Sequence, residues 1–130
     1  MLKTVLSALG FFATLPCALL GLTGGHMLVS STNGVFFDGQ KATVNVVGDY
    51  LGKSLFAQDL VVEVVVKNKL CYSFTPQVSS GWNVTAKPLQ LVDGYSCLLL
   101  SLTQDTHTDF LLYRLNSSQP QLISQWKILL

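Results

Sequence analysis

The stretch Lys41-Ala-Thr-Val-Asn-Val-Val47 decides the fold class. On an extended chain Ala42, Val44 and Val46 fall on one side and Thr43 and Asn45 on the other, a period of two rather than 3.6. Gly81-Trp-Asn-Val-Thr-Ala86 alternates in the same way, with Trp82, Val84 and Ala86 on one face and Asn83 and Thr85 on the other. Leu60 to Val66 is valine in every place but Leu60 and Glu63; these β-branched side chains are stiff at χ1 and suit a pleated surface. Residues 95–103, 108–115 and 120–128 read as further strands. Turn signals stand between the runs: Thr32-Asn33-Gly34, Asp38-Gly39, Gly48-Asp49, Lys67-Asn68-Lys69, Ser79-Ser80-Gly81, Asp93-Gly94 and residues 116–119. About seven or eight short strands with this punctuation predict an all-β fold, a small antiparallel β-sandwich, with a small β-barrel as the alternative.

Outward from these strands, the start of the chain reads as an address. Residues 1–25 carry Lys3, then an apolar run from Val5 to Leu22 broken by Pro16, then small residues at Gly21, Gly24 and Gly25. This is the pattern of a secretory signal peptide cut between about residues 21 and 25; the alternative is retention as an anchor. The expected division is a signal peptide at 1–25 and one β-sandwich domain at 26–130, in the endoplasmic reticulum lumen or secreted.

Removal of Lys3 takes Lys+Arg from 8 to 7, against 7 Asp+Glu, so residues 26–130 are formally neutral. Their 14 charges in 105 residues are 13%, against a usual ~25%. A surface so poor in charge tends to associate. There is no Lys/Arg patch to dock nucleic acid and, past the leader, no run of the ~20 apolar residues needed for a spanning helix.

In an oxidising route Cys71 and Cys97 are an even pair, which predicts one disulfide. It would close a loop of about 26 residues, for ~3.5 kcal/mol in the chain-entropy model. Asn83-Val84-Thr85 and Asn116-Ser117-Ser118 fit the N-glycosylation pattern. Glycans at Asn83 and Asn116 would supply the solubility that the missing charges do not.

Gly39-Gln-Lys-Ala-Thr-Val-Asn-Val46 resembles the second strand of an immunoglobulin-like domain, and Asp93-Gly-Tyr-Ser-Cys97 resembles its tyrosine corner. The similarity covers about half of residues 26–130. It implies a binding domain of sandwich type with Tyr95 as a structural corner. The second strand lacks the family's cysteine, having Asn45 and Val46 in that neighbourhood, so a bridge here staples a different pair of strands.

Signals for catalysis are thin. Ser96 lies in Gly94-Tyr-Ser-Cys-Leu98 without the second glycine of a nucleophile elbow, and there is no phosphate-cradling glycine loop. Asp105-Thr-His-Thr-Asp109 is the one polar cluster. On a strand its alternate members Asp105, His107 and Asp109 share a side at ~6.8 Å steps, a spacing that suits a divalent metal with help from elsewhere. The preferred reading is a solvated turn. No cofactor is expected.

Leucine at 98, 100 and 102 stands opposite Cys97 and Leu99, giving a strand that is apolar on both sides. Either both faces are covered internally, or Leu98, Leu100 and Leu102 form a contact surface. Together these readings predict a secreted glycoprotein that works by binding and not by catalysis, of the immune-ligand or virus-encoded immune-modulator kind, with a protein partner or receptor and a homodimer in view. The alternative is an extracellular carrier of a small apolar ligand or lipid.

Overall fold

In the computed structural model the residues described are 27–36, 39–90, 94–115 and 118–130. They form eight strands: β1 (Met27–Phe36), β2 (Gln40–Tyr50), β3 (Ala57–Val66), β4 (Lys69–Phe74), β5 (Trp82–Gln90), β6 (Ser96–Thr103), β7 (His107–Arg114) and β8 (Gln121–Leu129). Two four-stranded antiparallel sheets result, ordered β1-β2-β3-β4 and β5-β6-β7-β8. Among the described residues there is no helix, and neither sheet closes into a barrel. The all-β sandwich read from the alternation is the fold.

The strand order is a correction to the immunoglobulin-like resemblance. That family interleaves strands from both halves of the chain through Greek-key connections. Here every neighbour within a sheet is also a neighbour in sequence. Tight turns enforce this. Lys67 and Asn68 take left-handed φ of 52° and 63°, the paired positive φ that suits a two-residue hairpin and folds β4 directly onto β3. Between β6 and β7, Gln104 N–H donates to the His107 carbonyl at 2.7 Å and closes the hairpin.

Two expected turns lie inside strands. Asn33 and Gly34 pair with Thr43 and Ala42 in the β1–β2 ladder. Gly34 is small because β5 approaches there: a Cβ at this position would run into the Pro88 ring. Gly48 sits within β2 where the β2–β3 register shifts between Val47 and Asp49. A Cβ on Gly48 would lie 2.7 Å from the Gln58 carbonyl oxygen. Gly34 makes room for the Pro88 ring and Gly48 for the β3 backbone; neither reverses the chain.

The inward positions are those the alternation assigned, except Trp82: the register shifts between Trp82 and Thr85, and its half-buried ring packs edge-on to Phe56 outside the core cluster. Val44 and Val46 of β2 and Leu60, Val62 and Val64 of β3 meet Val84 and Ala86 of β5, Leu98, Leu100 and Leu102 of β6, and Leu111 and Tyr113 of β7. Leu98, Leu100 and Leu102 are all 0% exposed. Of the two alternatives for these three leucines, internal cover holds and the possible contact surface is corrected: they are the centre of the core, and burying them contributes ~4–8 kcal/mol in total. Their neighbours Leu99 and Ser101 take the outer side of the sheet and are half-buried.

The chain crosses between the sheets after β4. Ala57 and Gly81 exchange backbone hydrogen bonds at 2.9 Å, Leu60 N–H donates to the Ser79 carbonyl at 3.1 Å, and the Gln104 amide donates to the Ser80 carbonyl at 2.7 Å. The crossover is thus tied to both sheets.

Candidate functional site

The feature that sets this sandwich apart is its last strand. β8 pairs with β7 on one side and is the end of its sheet among the described residues, so one row of its backbone groups faces outward. Leu130 N–H donates to the Thr106 carbonyl at 3.1 Å. Hydrogen-bonded pairs alternate along an antiparallel ladder, and the register continues through Thr108 opposite Ile128 and Phe110 opposite Trp126. Trp126 and Ile128 therefore turn their amides and carbonyls toward β7. Gln125, Lys127 and Leu129 turn theirs to the open edge.

The side chains on this edge are apolar and wet. Trp126 is 38% exposed, Ile128 53%, Leu129 80% and Leu130 76%. Lys127 is the one charge between Gln121 and Leu129. Trp126 is held flat by Phe110 on β7, with ring centroids 5.4 Å apart and an interplanar angle of 10°. Edge strands are ordinarily protected by proline, several charges or bulges. β8 has a single bulge, where the register shifts between Leu112 and Tyr113 and leaves Ile123 as the extra residue, and runs regularly from Ser124 onward. Sequence reasoning placed Trp126 on a strand but missed this surface. The signal available was that the alternation of Gln125 and Lys127 with Trp126 and Ile128 gives way to the apolar run Ile128-Leu129-Leu130.

The polar cluster splits. Asp105 and Thr106 are exposed in the β6–β7 turn, as a solvated turn requires, but Asp109 is buried. His107 Nε2 lies 3.2 Å from Asp109 Oδ2, and Thr106 Oγ1 lies 3.1 Å from His107 Nδ1. Asp109 Oδ1 is buried without a hydrogen-bond partner. The expectation of a wholly solvated cluster is corrected at Asp109, whose side chain faces Leu102 across the ladder. The hydroxyl–imidazole–carboxylate chain fastens the start of β7. Among the described residues no group of three or more His, Cys, Asp or Glu side chains is placed to hold a metal.

No disulfide joins Cys71 and Cys97 in the structure. Cys71 is the extra residue of a bulge in β4, between Leu70 opposite Val65 and Tyr72 opposite Val64, and is exposed. Cys97 is buried in β6 of the other sheet, on the side opposite core-facing Leu98. The expected bridge is absent because the two thiols belong to different sheets and Cys97 points away from the interior between them. The weak contacts of the sulfurs are local, with the Lys69 and Tyr95 carbonyls at 3.7 Å and 3.9 Å.

Asn83 and Thr85 are exposed on β5 while Val84 and Ala86 are buried, so the first sequon lies on the outer face. Asn116 and the leader fall outside the described residues. Tyr95 is 40% exposed, with the Arg114 guanidinium 4.2 Å from its ring centroid, a cation–π contact. Elsewhere, a depression of about 540 Å³ on sheet β1–β4 is bordered by Asn33, Lys41, Thr43, Lys67 and Asn68. The Thr43 hydroxyl donates to Asn33 Oδ1 there at 2.7 Å.

The fold is a small β-sandwich of two four-stranded meanders, and β8 is a sheet end among the described residues whose last residues expose apolar side chains. Comparison with family models, with curated proteins and with solved structures finds no match for the chain.

Proposed function

We propose that this chain is a secreted, glycosylated, non-enzymatic binding module whose contact surface is the β8 edge. The observation that carries the reading is the strip of Trp126, Ile128, Leu129 and Leu130 exposed beside outward-facing backbone groups. A strand edge of this kind accepts an extended segment by hydrogen bonding, and the apolar side chains add specificity and desolvation. The leader pattern at 1–25 and the accessible Asn83 support export and glycan attachment. The alternative of a carrier holding an apolar ligand in its core is not favoured by inward positions that pack against one another.

The test uses the full chain expressed in secretory cells. The protein is expected in the medium without residues 1–25 and with a mobility shift on glycosidase treatment that Asn83→Gln reduces. The labelled secreted protein is expected to bind a subset of cells in a surface panel, and Ile128→Lys with Leu129→Lys is expected to abolish that binding while leaving the melting temperature near that of the unaltered chain. Retention in the cytosol with the leader attached refutes export. Binding unaffected by the two lysines refutes the contact surface.

A further inference from the structure

We infer that the occupant of the β8 edge is a second copy of this chain, docked strand to strand and antiparallel about a twofold axis at Trp126. This rests on the reading of β8 as the contact surface and names its partner. In an isologous contact residue i meets j and j meets i. Only residues whose backbone groups point outward can exchange hydrogen bonds across the new ladder; these are Gln125, Lys127 and Leu129. An axis at Trp126 sets Gln125 opposite Lys127 of the second copy and Lys127 opposite its Gln125. Each pair then exchanges both backbone bonds, as an antiparallel hydrogen-bonded pair does.

Charge and regularity choose this register among its neighbours. An axis at Lys127 opposes two ammonium groups directly, which is destabilising. An axis at Gln125 sets Lys127 against the bulged Ile123, where the strand is irregular. An axis at Ile128 engages, among the described residues, only Trp126 to Leu130. With the axis at Trp126 the single charge of the strand lies opposite an amide, and pairing extends through Ser124 opposite Ile128. The two Trp126 rings meet on the outer side of the joined sheet, each already stacked on its own Phe110. Residues 26–130 carry equal numbers of acidic and basic side chains, so no net repulsion separates the copies.

An edge-to-edge contact of this length is smaller than the ~1,200 Å² of a standard interface, so association is expected in the micromolar range. Sedimentation velocity of the secreted protein, in a Cys71→Ser background to silence the exposed native thiol, is expected to pass from monomer to dimer between low micromolar and near-millimolar concentration. Gln125→Pro removes an outward amide that β7 does not use and is expected to raise the dissociation constant about tenfold or more, a loss of ~1.4 kcal/mol. In the same background Trp126→Cys is expected to give a disulfide-linked dimer on mild oxidation and Ile128→Cys is not. Because Trp126 also packs on Phe110, an equimolar mixture of Gln125→Cys and Lys127→Cys proteins reads the same register with the tryptophan in place, and cross-linked heterodimer is expected.

A protein monomeric throughout overturns the proposal; if Ile128→Lys with Leu129→Lys still abolishes cell binding, the contact surface stands with a different occupant. A dimer indifferent to Gln125→Pro overturns it, as does cross-linking through residue 128 in place of 126.

Discussion

The phenol oxygen of Tyr113 accepts a 2.8 Å hydrogen bond from the backbone amide of Gln77, 36 residues earlier. Tyr113 stands on β7, in one sheet, and Gln77 in the crossover from β4, at the end of the other. The ring is 5% exposed and meets Phe74 of β4 with centroids 4.9 Å apart. One side chain thus fills the core and ties the loop that joins the sheets, the kind of service that the immunoglobulin-like resemblance implies for Tyr95.

Tyr113→Phe keeps the ring and removes the clasp. It leaves the Gln77 amide without its phenol partner, at a cost of about 1 kcal/mol. Urea melts are expected to show a lower midpoint with an unchanged slope, since the surface exposed on unfolding is the same.

Burial pushes the Tyr113 phenol above its ordinary value, against a smaller opposite effect of the Gln77 amide. Tyr72 is raised as well, by burial first and by the neighbouring Cys71 second. A raised phenol holds its proton more tightly in the folded chain than in the unfolded one. Its contribution to stability is therefore full below the unfolded value of pH ~10 and lost as pH rises through the folded value. Thermal melts in steps above neutrality are expected to be flat with respect to these tyrosines up to pH ~10 and to fall beyond it, with a shallower fall in Tyr113→Phe. An equally steep fall in that variant would show that the phenol is not a source of the alkaline limb.

The thiols should behave as two unlike groups. Exposed Cys71 is expected to react with a bulky maleimide in the native protein, and buried Cys97 only after unfolding. Cys71→Ser should change stability by no more than about 0.5 kcal/mol. Mass spectrometry of the secreted protein under non-reducing conditions counts the labels. Two protected thiols that react only after reduction would restore the bridge first read from the sequence and would require β4 and β6 to lie otherwise.

Leu100 and Leu129 are both leucines on strands, at 0% and 80% exposure. Leu100→Ala is expected to cost about 2–5 kcal/mol through the cavity it leaves. Leu129→Ala in the monomer should cost no more than about 0.5 kcal/mol. Denaturant midpoints of the two variants measure the contrast.

Much of this fold is legible in the sequence because an alternating strand announces itself locally. Val44 and Val46, Val62 and Val64, and Val84 and Ala86 all point where the period of two places them. What stays hidden depends on long-range contacts. Alternation shows that Leu98, Leu100 and Leu102 share a face but not that the face is the inner one, because Cys97 and Leu99 opposite are apolar too. Asn33-Gly34 has the composition of a turn, yet its glycine answers Pro88, a ring 54 positions on. Tyr113 acts through a backbone amide and so carries no motif. The open edge of β8 follows from strand order, which no local pattern encodes.

The central claim is that β8 presents a bare ladder edge. Residue-resolved amide hydrogen exchange on dilute protein reads it directly. Trp126 and Ile128, bonded to β7, should exchange slowly, while Gln125, Lys127 and Leu129 between them exchange at rates near those of an open chain. Equal protection of the two alternating sets in the dilute monomer would mean that the chain covers this strand itself, and the account would be wrong.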